Sequence, residues 1–118
     1  MTAQPWAVQI DDSVGVARQM LVEREIRHLP VLDAGELVGM VTERDLATAT
    51  ERVGAVVGDV MTSATPVEQE TPLDEVLAHM LDARRDAVVV TEGGRVVGIF
   101  TAMDAVRLLR ERLRIRAP

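Results

Sequence analysis

The stretch Leu37-Val38-Gly39-Met40-Val41-Thr42-Glu43-Arg44-Asp45-Leu46-Ala47 recurs as Val96-Val97-Gly98-Ile99-Phe100-Thr101-Ala102-Met103-Asp104-Ala105-Val106. Two copies of one Gly-x-x-Thr-x-x-Asp pattern in 118 residues make internal duplication the first inference, because repetition alters every later reading. Upstream of each copy, Met20-Leu21 is matched by Met80-Leu81 at a spacing of 60, while Gly39 and Gly98 lie 59 apart. One residue is therefore expected to be missing from the second copy between these points.

Each half reads as a helix, two strands and a second helix. Val14, Ala17 and Leu21 form an apolar stripe at helical spacing, preceded by Asp11-Asp12-Ser13, which supplies good N-cap chemistry. His28 to Leu32 and Glu36 to Val41 flank Asp33-Ala34-Gly35, the pattern of a hairpin. The second half repeats this with Leu73, Val76, Leu77, Met80 and Leu81, then Ala87 to Val90, Glu92-Gly93-Gly94 and Arg95 to Phe100. The connector around Gly58-Asp59-Val60-Met61-Thr62 and Thr65-Pro66-Val67 is too apolar for a free linker. A repeat of about fifty residues buries little apolar surface alone, so the two are expected to fold as one unit.

Composition narrows the function. With 47% hydrophobic residues but only one Trp, one Phe and no Tyr, the core must be aliphatic, and no aromatic platform for stacking nucleic acid exists. The absence of cysteine removes disulfides, thiolate metal sites and thiol nucleophiles together, and favours a cytoplasmic protein. No segment reaches the roughly 18 apolar residues of a membrane span, and the start has no basic, apolar leader, so a soluble, unprocessed chain is expected. A net charge of −6 makes a nucleic-acid partner improbable.

The repeated motif carries the chemistry. Gly39 and Gly98 leave room for a ligand to approach strand backbone, and Thr42 and Thr101 fall where strand passes to helix. A helix start offers free N–H groups to an anionic or oxygen-rich ligand. Asp45 and Asp104, three residues on, carry only acceptors when ionised, which complements the two donors of a vicinal diol such as a ribose. Thr-x-x-Asp is also a capping-box pattern that needs no ligand, and the Thr can serve both ends. Both readings stand at this point.

The doubled motif, Met61-Thr62 and His28-Leu29-Pro30-Val31 together resemble the CBS-domain family over nearly the whole chain. The resemblance implies an α+β fold of two CBS repeats, each a hairpin with two helices, packed about a pseudo-twofold axis. It divides the chain into repeat 1 over 1–54, a connector over 55–60, and repeat 2 with a C-terminal helix over 61–118. Before the first repeat, Pro5-Trp6-Ala7-Val8 stands where a Met-Thr opening is expected.

The function implied is a regulatory module, not an enzyme, that binds an adenine nucleotide or nucleoside derivative of the AMP, ATP or S-adenosylmethionine type between the repeats. No cofactor is required. Asp45, Asp104, Thr42 and Thr101 would hold ribose and phosphate oxygens. Arg27 and His28 would meet the phosphate, with Asp104 the expected neighbour across the pseudo-twofold, whereas the second repeat has Asp86-Ala87 at the matching place, with Arg84 and Arg85 just upstream. Thr65, Pro66 and Val67, with Ala7 and Val8 in the first repeat, would contact adenine.

A homodimer through Leu21, Val22, Leu77, Leu81 and Leu109 is implied too, and an effector protein is a possible further partner. The alternative is a ligand-free dimerisation or protein-interaction module. His79 is expected to be a surface or packing residue. With two histidines and no cysteine no metal site is expected, and neither Ser13 nor Ser63 lies in a nucleophile setting. The run from Ala105 to Ile115 reads as an amphipathic helix with a solvated arginine face.

Overall fold

A computed structural model describes residues 2–3, 6–48, 54–64 and 66–116. The element order is β1 (Thr2–Ala3), β2 (Val8–Gln9), α1 (Val14–Arg24), β3 (His28–Asp33), β4 (Glu36–Thr42), α2 (Glu43–Thr48), α3 (Val57–Val60), β5 (Pro66–Glu68), α4 (Leu73–Ala83), β6 (Ala87–Glu92), β7 (Arg95–Thr101) and α5 (Ala102–Arg116). The fold is α+β. Two compact units result, one of Trp6–Thr65 and one of Met1–Pro5 with Pro66–Pro118.

In the first unit, Ser13 caps α1 by accepting the Val16 N–H at 3.1 Å, as its sequence position predicts. The helix ends at Glu25 in the left-handed conformation, whose N–H bonds the last carbonyls. Strands β3 and β4 pair antiparallel through the two-residue turn Ala34-Gly35, both at positive φ, and β2 adds in parallel to β3. Alternation along the strands sends Val8, Leu29, Val31 and Val41 onto Ala17 and Leu21 of α1 and Leu46 of α2, forming an aliphatic core.

The second unit repeats this path: β5 lies parallel to β6, β6 and β7 form a hairpin over Gly93-Gly94, and Val76, Met80, Val88, Val90 and Phe100 make its core. The register corrects the alignment. Val14 corresponds to Leu73, His28 to Ala87, and Thr42 to Thr101, a constant 59 residues, so nothing is missing between the helix and the glycine. Buried Leu21 therefore matches buried Met80, and Met20 matches His79. Packing depth, rather than the shared Met-Leu letters, sets the equivalence.

The opening Met-Thr also has a counterpart. Thr62 bridges to Met40 on β4, and Thr2 pairs with Ile99 at the equivalent place on β7, so Thr2 takes in the second unit the role Thr62 takes in the first. Among the described residues no helix is long and apolar enough to cross a membrane.

Candidate functional site

At the end of the first hairpin, β4 runs directly into α2 at Thr42. The Thr42 N–H donates to Asp45 Oδ2 at 2.9 Å, and the Asp45 N–H donates back to Thr42 Oγ1 at 3.2 Å. The second half repeats the pair almost atom for atom. Thr101 N–H reaches Asp104 Oδ2 at 2.9 Å, and Asp104 N–H reaches Thr101 Oγ1 at 3.1 Å. The capping-box reading is thus realised in both halves, with two otherwise unpaired helix-start donors satisfied each time.

Arg27 and His28 reach the same end of the first hairpin. His28 pairs across to Thr42, and the Glu43 N–H donates to the Arg27 carbonyl at 3.3 Å. Arg27 is exposed and His28 half-buried, so four sequence-predicted residues, Arg27, His28, Thr42 and Asp45, gather at one strand-to-helix junction. A groove of about 440 Å³ opens beside them, lined by Arg18, Leu21, Ile26, Arg27, Glu43 and Leu46 among others. Arg18 is committed there, its Nη2 donating to the Leu46 carbonyl at 2.8 Å. The matching junction of the second half has Asp86, whose carbonyl accepts the Ala102 N–H at 2.8 Å, and Ala87 opposite Thr101.

One residue overlooked from sequence completes that second junction. Arg107 Nη1 lies 3.2 Å from Asp104 Oδ1, with Asp104 buried and the Arg107 side chain 68% exposed. Sequence reasoning placed Arg107 with the solvated arginines of α5. The i, i+3 spacing to Asp104 is the signal that marks it out.

Other predicted contacts are redistributed. The space over Gly39 is filled from within the chain, since a Cβ there would lie 2.6 Å from Met61 Sδ and 2.7 Å from the Thr62 carbonyl oxygen. Thr62 and Met40 exchange backbone hydrogen bonds at 2.9 Å in both directions, which draws this segment onto the glycine. Val8 is 1% exposed, because β2 alternates it into the first core, and so its side chain is not free for a ligand.

Val67 likewise packs its side chain against the second core, while its strand β5 is the edge of its sheet. Thr65 lies outside the described residues. Glu68 on β5 takes the Thr91 hydroxyl at 3.0 Å and the Gly93 N–H at 3.3 Å, fastening the second hairpin. Leu21 is core, whereas Val22, Leu81 and Leu109 are exposed. His79 is half-buried, its Nε2 without a hydrogen-bond partner among the described residues.

Residues 1–52 and 57–111 match the CBS domain. The chain belongs to the CBS-domain family. It is 32% identical over 111 residues to the L-aspartate semialdehyde sulfurtransferase of Methanocaldococcus jannaschii, a match covering 92% of this chain and 22% of that enzyme. The curated relatives it matches are thus far longer, with this CBS pair spanning 21% of an inosine-5′-monophosphate dehydrogenase of Korarchaeum cryptofilum.

Among solved structures, the CBS domain pair of protein MJ0100 in complex with 5′-methylthioadenosine and S-adenosyl-L-methionine is 30% identical. It covers 93% of this chain and 92% of its own, with a TM-score of 0.81. CBSX2 in complex with AMP is also 30% identical, with a TM-score of 0.75 over 94% of this chain and 89% of its own.

Proposed function

We propose that this CBS pair is a regulatory module that binds an adenine nucleotide or nucleoside derivative and passes its occupancy on as a change in shape or in a partner's activity. The observation that carries the proposal is the doubled junction, in which the same Thr and Asp stand at the same strand-to-helix step in both halves. An ionised carboxylate has about four acceptor sites, and at Asp104 the Thr101 N–H and Arg107 take one each, so that box is compatible with the two donors of a diol ligand. Solved CBS pairs of similar sequence hold AMP, or S-adenosyl-L-methionine with 5′-methylthioadenosine, which supports an adenine compound as the ligand class.

In this reading Asp45 and Asp104 take ribose hydroxyls, and Thr42 and Thr101 meet ribose or phosphate oxygens. Arg27 and His28 meet the phosphate. Adenine lies along Thr65 and Val67; Val67 is on β5, which pairs with β6 and, among the described residues, has no strand on its other side. The module works in the cytoplasm and regulates rather than converts its ligand.

The test is thermal melting and calorimetry with AMP, ATP and S-adenosylmethionine. A ligand at one hundred times its Kd adds about 2.7 kcal/mol to stability. Asp104→Asn, which retains an acceptor for the Thr101 N–H, is expected to weaken binding at least tenfold. Absence of stabilisation by all three compounds would falsify the proposal.

A second reading has its own observation. The boxes close on partners within the chain, and Leu81, Leu109 and Leu113 are 78%, 61% and 56% exposed, which suits a ligand-free association module. Asp74 and Asp82 flank Leu81 on α4, and Arg107, Arg110 and Arg114 flank the apolar stripe of α5, so a second copy turned by a twofold would meet opposite charge. Sedimentation of wild type and Leu109→Glu, with and without AMP, separates the readings. A dimer that Leu109→Glu dissolves, with no response to AMP in either chain, favours association alone.

A further inference from the structure

We propose that Arg107 is the cation that meets the ligand phosphate in the second half, and that Asp104 holds it there. This rests on the nucleotide-binding reading above and adds a residue to it.

In the first half the positive charge beside the Thr-Asp box comes from a strand, through Arg27 and His28 at the start of β3. The second half has Asp86 and Ala87 at those places, an acid and a methyl group that give a phosphate nothing. The structure supplies the missing charge from the helix instead. Arg107 lies one turn beyond the box on α5, its Nη1 3.2 Å from Asp104 Oδ1, while Oδ2 of the same carboxylate receives the Thr101 N–H at 2.9 Å. The position matching Arg107 in the first half is Thr48, so the two halves exchange the source of their cation.

Donor and acceptor counts are consistent with this role. A guanidinium carries five N–H donors in a planar fork. Among the described residues Arg107 makes one hydrogen bond, to Asp104, which leaves four donors on a side chain that is 68% exposed. Of the roughly four acceptor sites on Asp104, one faces the Thr101 N–H and one faces Arg107, which leaves two for the two hydroxyls of a ribose. A single carboxylate can thus orient the cation and receive the diol, bringing phosphate and sugar recognition to one point.

A purely stabilising role explains the pair less well. The Arg107 end of the pair is exposed, where solvent screens the attraction and little stability is gained, so most of its charge stays available to an anion.

The test compares two ligands that differ only in the phosphate. Wild type, Arg107→Gln and Arg107→Lys are titrated calorimetrically with AMP and with adenosine at one ionic strength. Arg107→Gln is expected to weaken AMP about ten- to a hundredfold, the loss of a charge-assisted contact, and to leave adenosine within about twofold. Arg107→Lys is expected to recover part of the AMP affinity.

Equal weakening of AMP and adenosine would reduce Arg107 to a packing role. An unchanged AMP affinity would reduce it to a surface ion pair, and a tightened one would make it a competitor for Asp104. Each of those outcomes overturns the inference while the nucleotide reading stands. If wild type binds neither AMP nor adenosine, this inference is overturned, whereas the nucleotide reading falls only if ATP and S-adenosylmethionine fail to bind as well. Unliganded melting temperatures of the three chains verify that the variants fold.

Discussion

The two halves share a backbone and differ in what they place on it. Both helices α1 and α4 end in a left-handed residue at nearly the same angle, Glu25 at φ 54° and Arg84 at φ 53°. Both hairpins turn over two residues at positive φ, and both Thr-Asp boxes close with matching distances. The differences lie in charge and in core volume. The first half presents Arg27 and His28 where the second has Asp86 and Ala87, and Thr48 where the second has Arg107. Leu29, Val41 and Leu46 of the first core give way to Val88, Phe100 and Ala105, so the one phenylalanine fills space that two smaller neighbours give up. Residues that set backbone direction recur, while those that set charge and volume have diverged.

Substitutions that erase these differences test the comparison. The largest effect is expected at Phe100, where Phe100→Ala removes the ring that offsets Val88 and Ala105 and costs about 3–5 kcal/mol in urea denaturation. A loss below about 1 kcal/mol would mean that the second core does not depend on that exchange.

Next comes Gly39→Ala, which drives a Cβ into the Thr62 carbonyl and the Met61 side chain and costs about 1–3 kcal/mol. An unchanged midpoint would show that the segment at Met61 and Thr62 yields freely. Thr42→Ala and Thr101→Ala each remove one cap, at about 1 kcal/mol. The matched geometry of the boxes demands losses that agree within experimental error, and a clear inequality would show that the halves are energetically distinct despite their distances.

The smallest effect concerns the turns. Ala34 holds φ 50° at the place where the second half has Gly93, so Ala34→Gly is expected to stabilise by up to about 1 kcal/mol and Gly93→Ala to destabilise by a similar amount. A melting series on the two reciprocal variants checks both signs.

The duplication, the helix-strand-strand-helix order within each half, the N-cap at Ser13, the glycine turns and the Thr-Asp steps were legible in the residues, whereas the short strands β1, β2 and β5 and the helix α3 were not. Each legible feature is set by contacts within a few positions along the chain, or by the plain alternation of apolar and polar residues. The Met20 to Met80 match failed because local letters carry no depth. Only the core shows that Leu21 and Met80 fill equivalent space, and that His79 stands where Met20 does.

Pattern alone also could not say that Gly39 is closed by Met61 and Thr62, that Val8 belongs to the core, or that Thr2 serves β7 as Thr62 serves β4. These depend on segments more than twenty residues apart in the chain meeting in space. The composition of α5 showed that it carries arginines. Which of them pairs with Asp104 while staying exposed was decided by the helix turn that sets Arg107 over a carboxylate already anchored at Thr101.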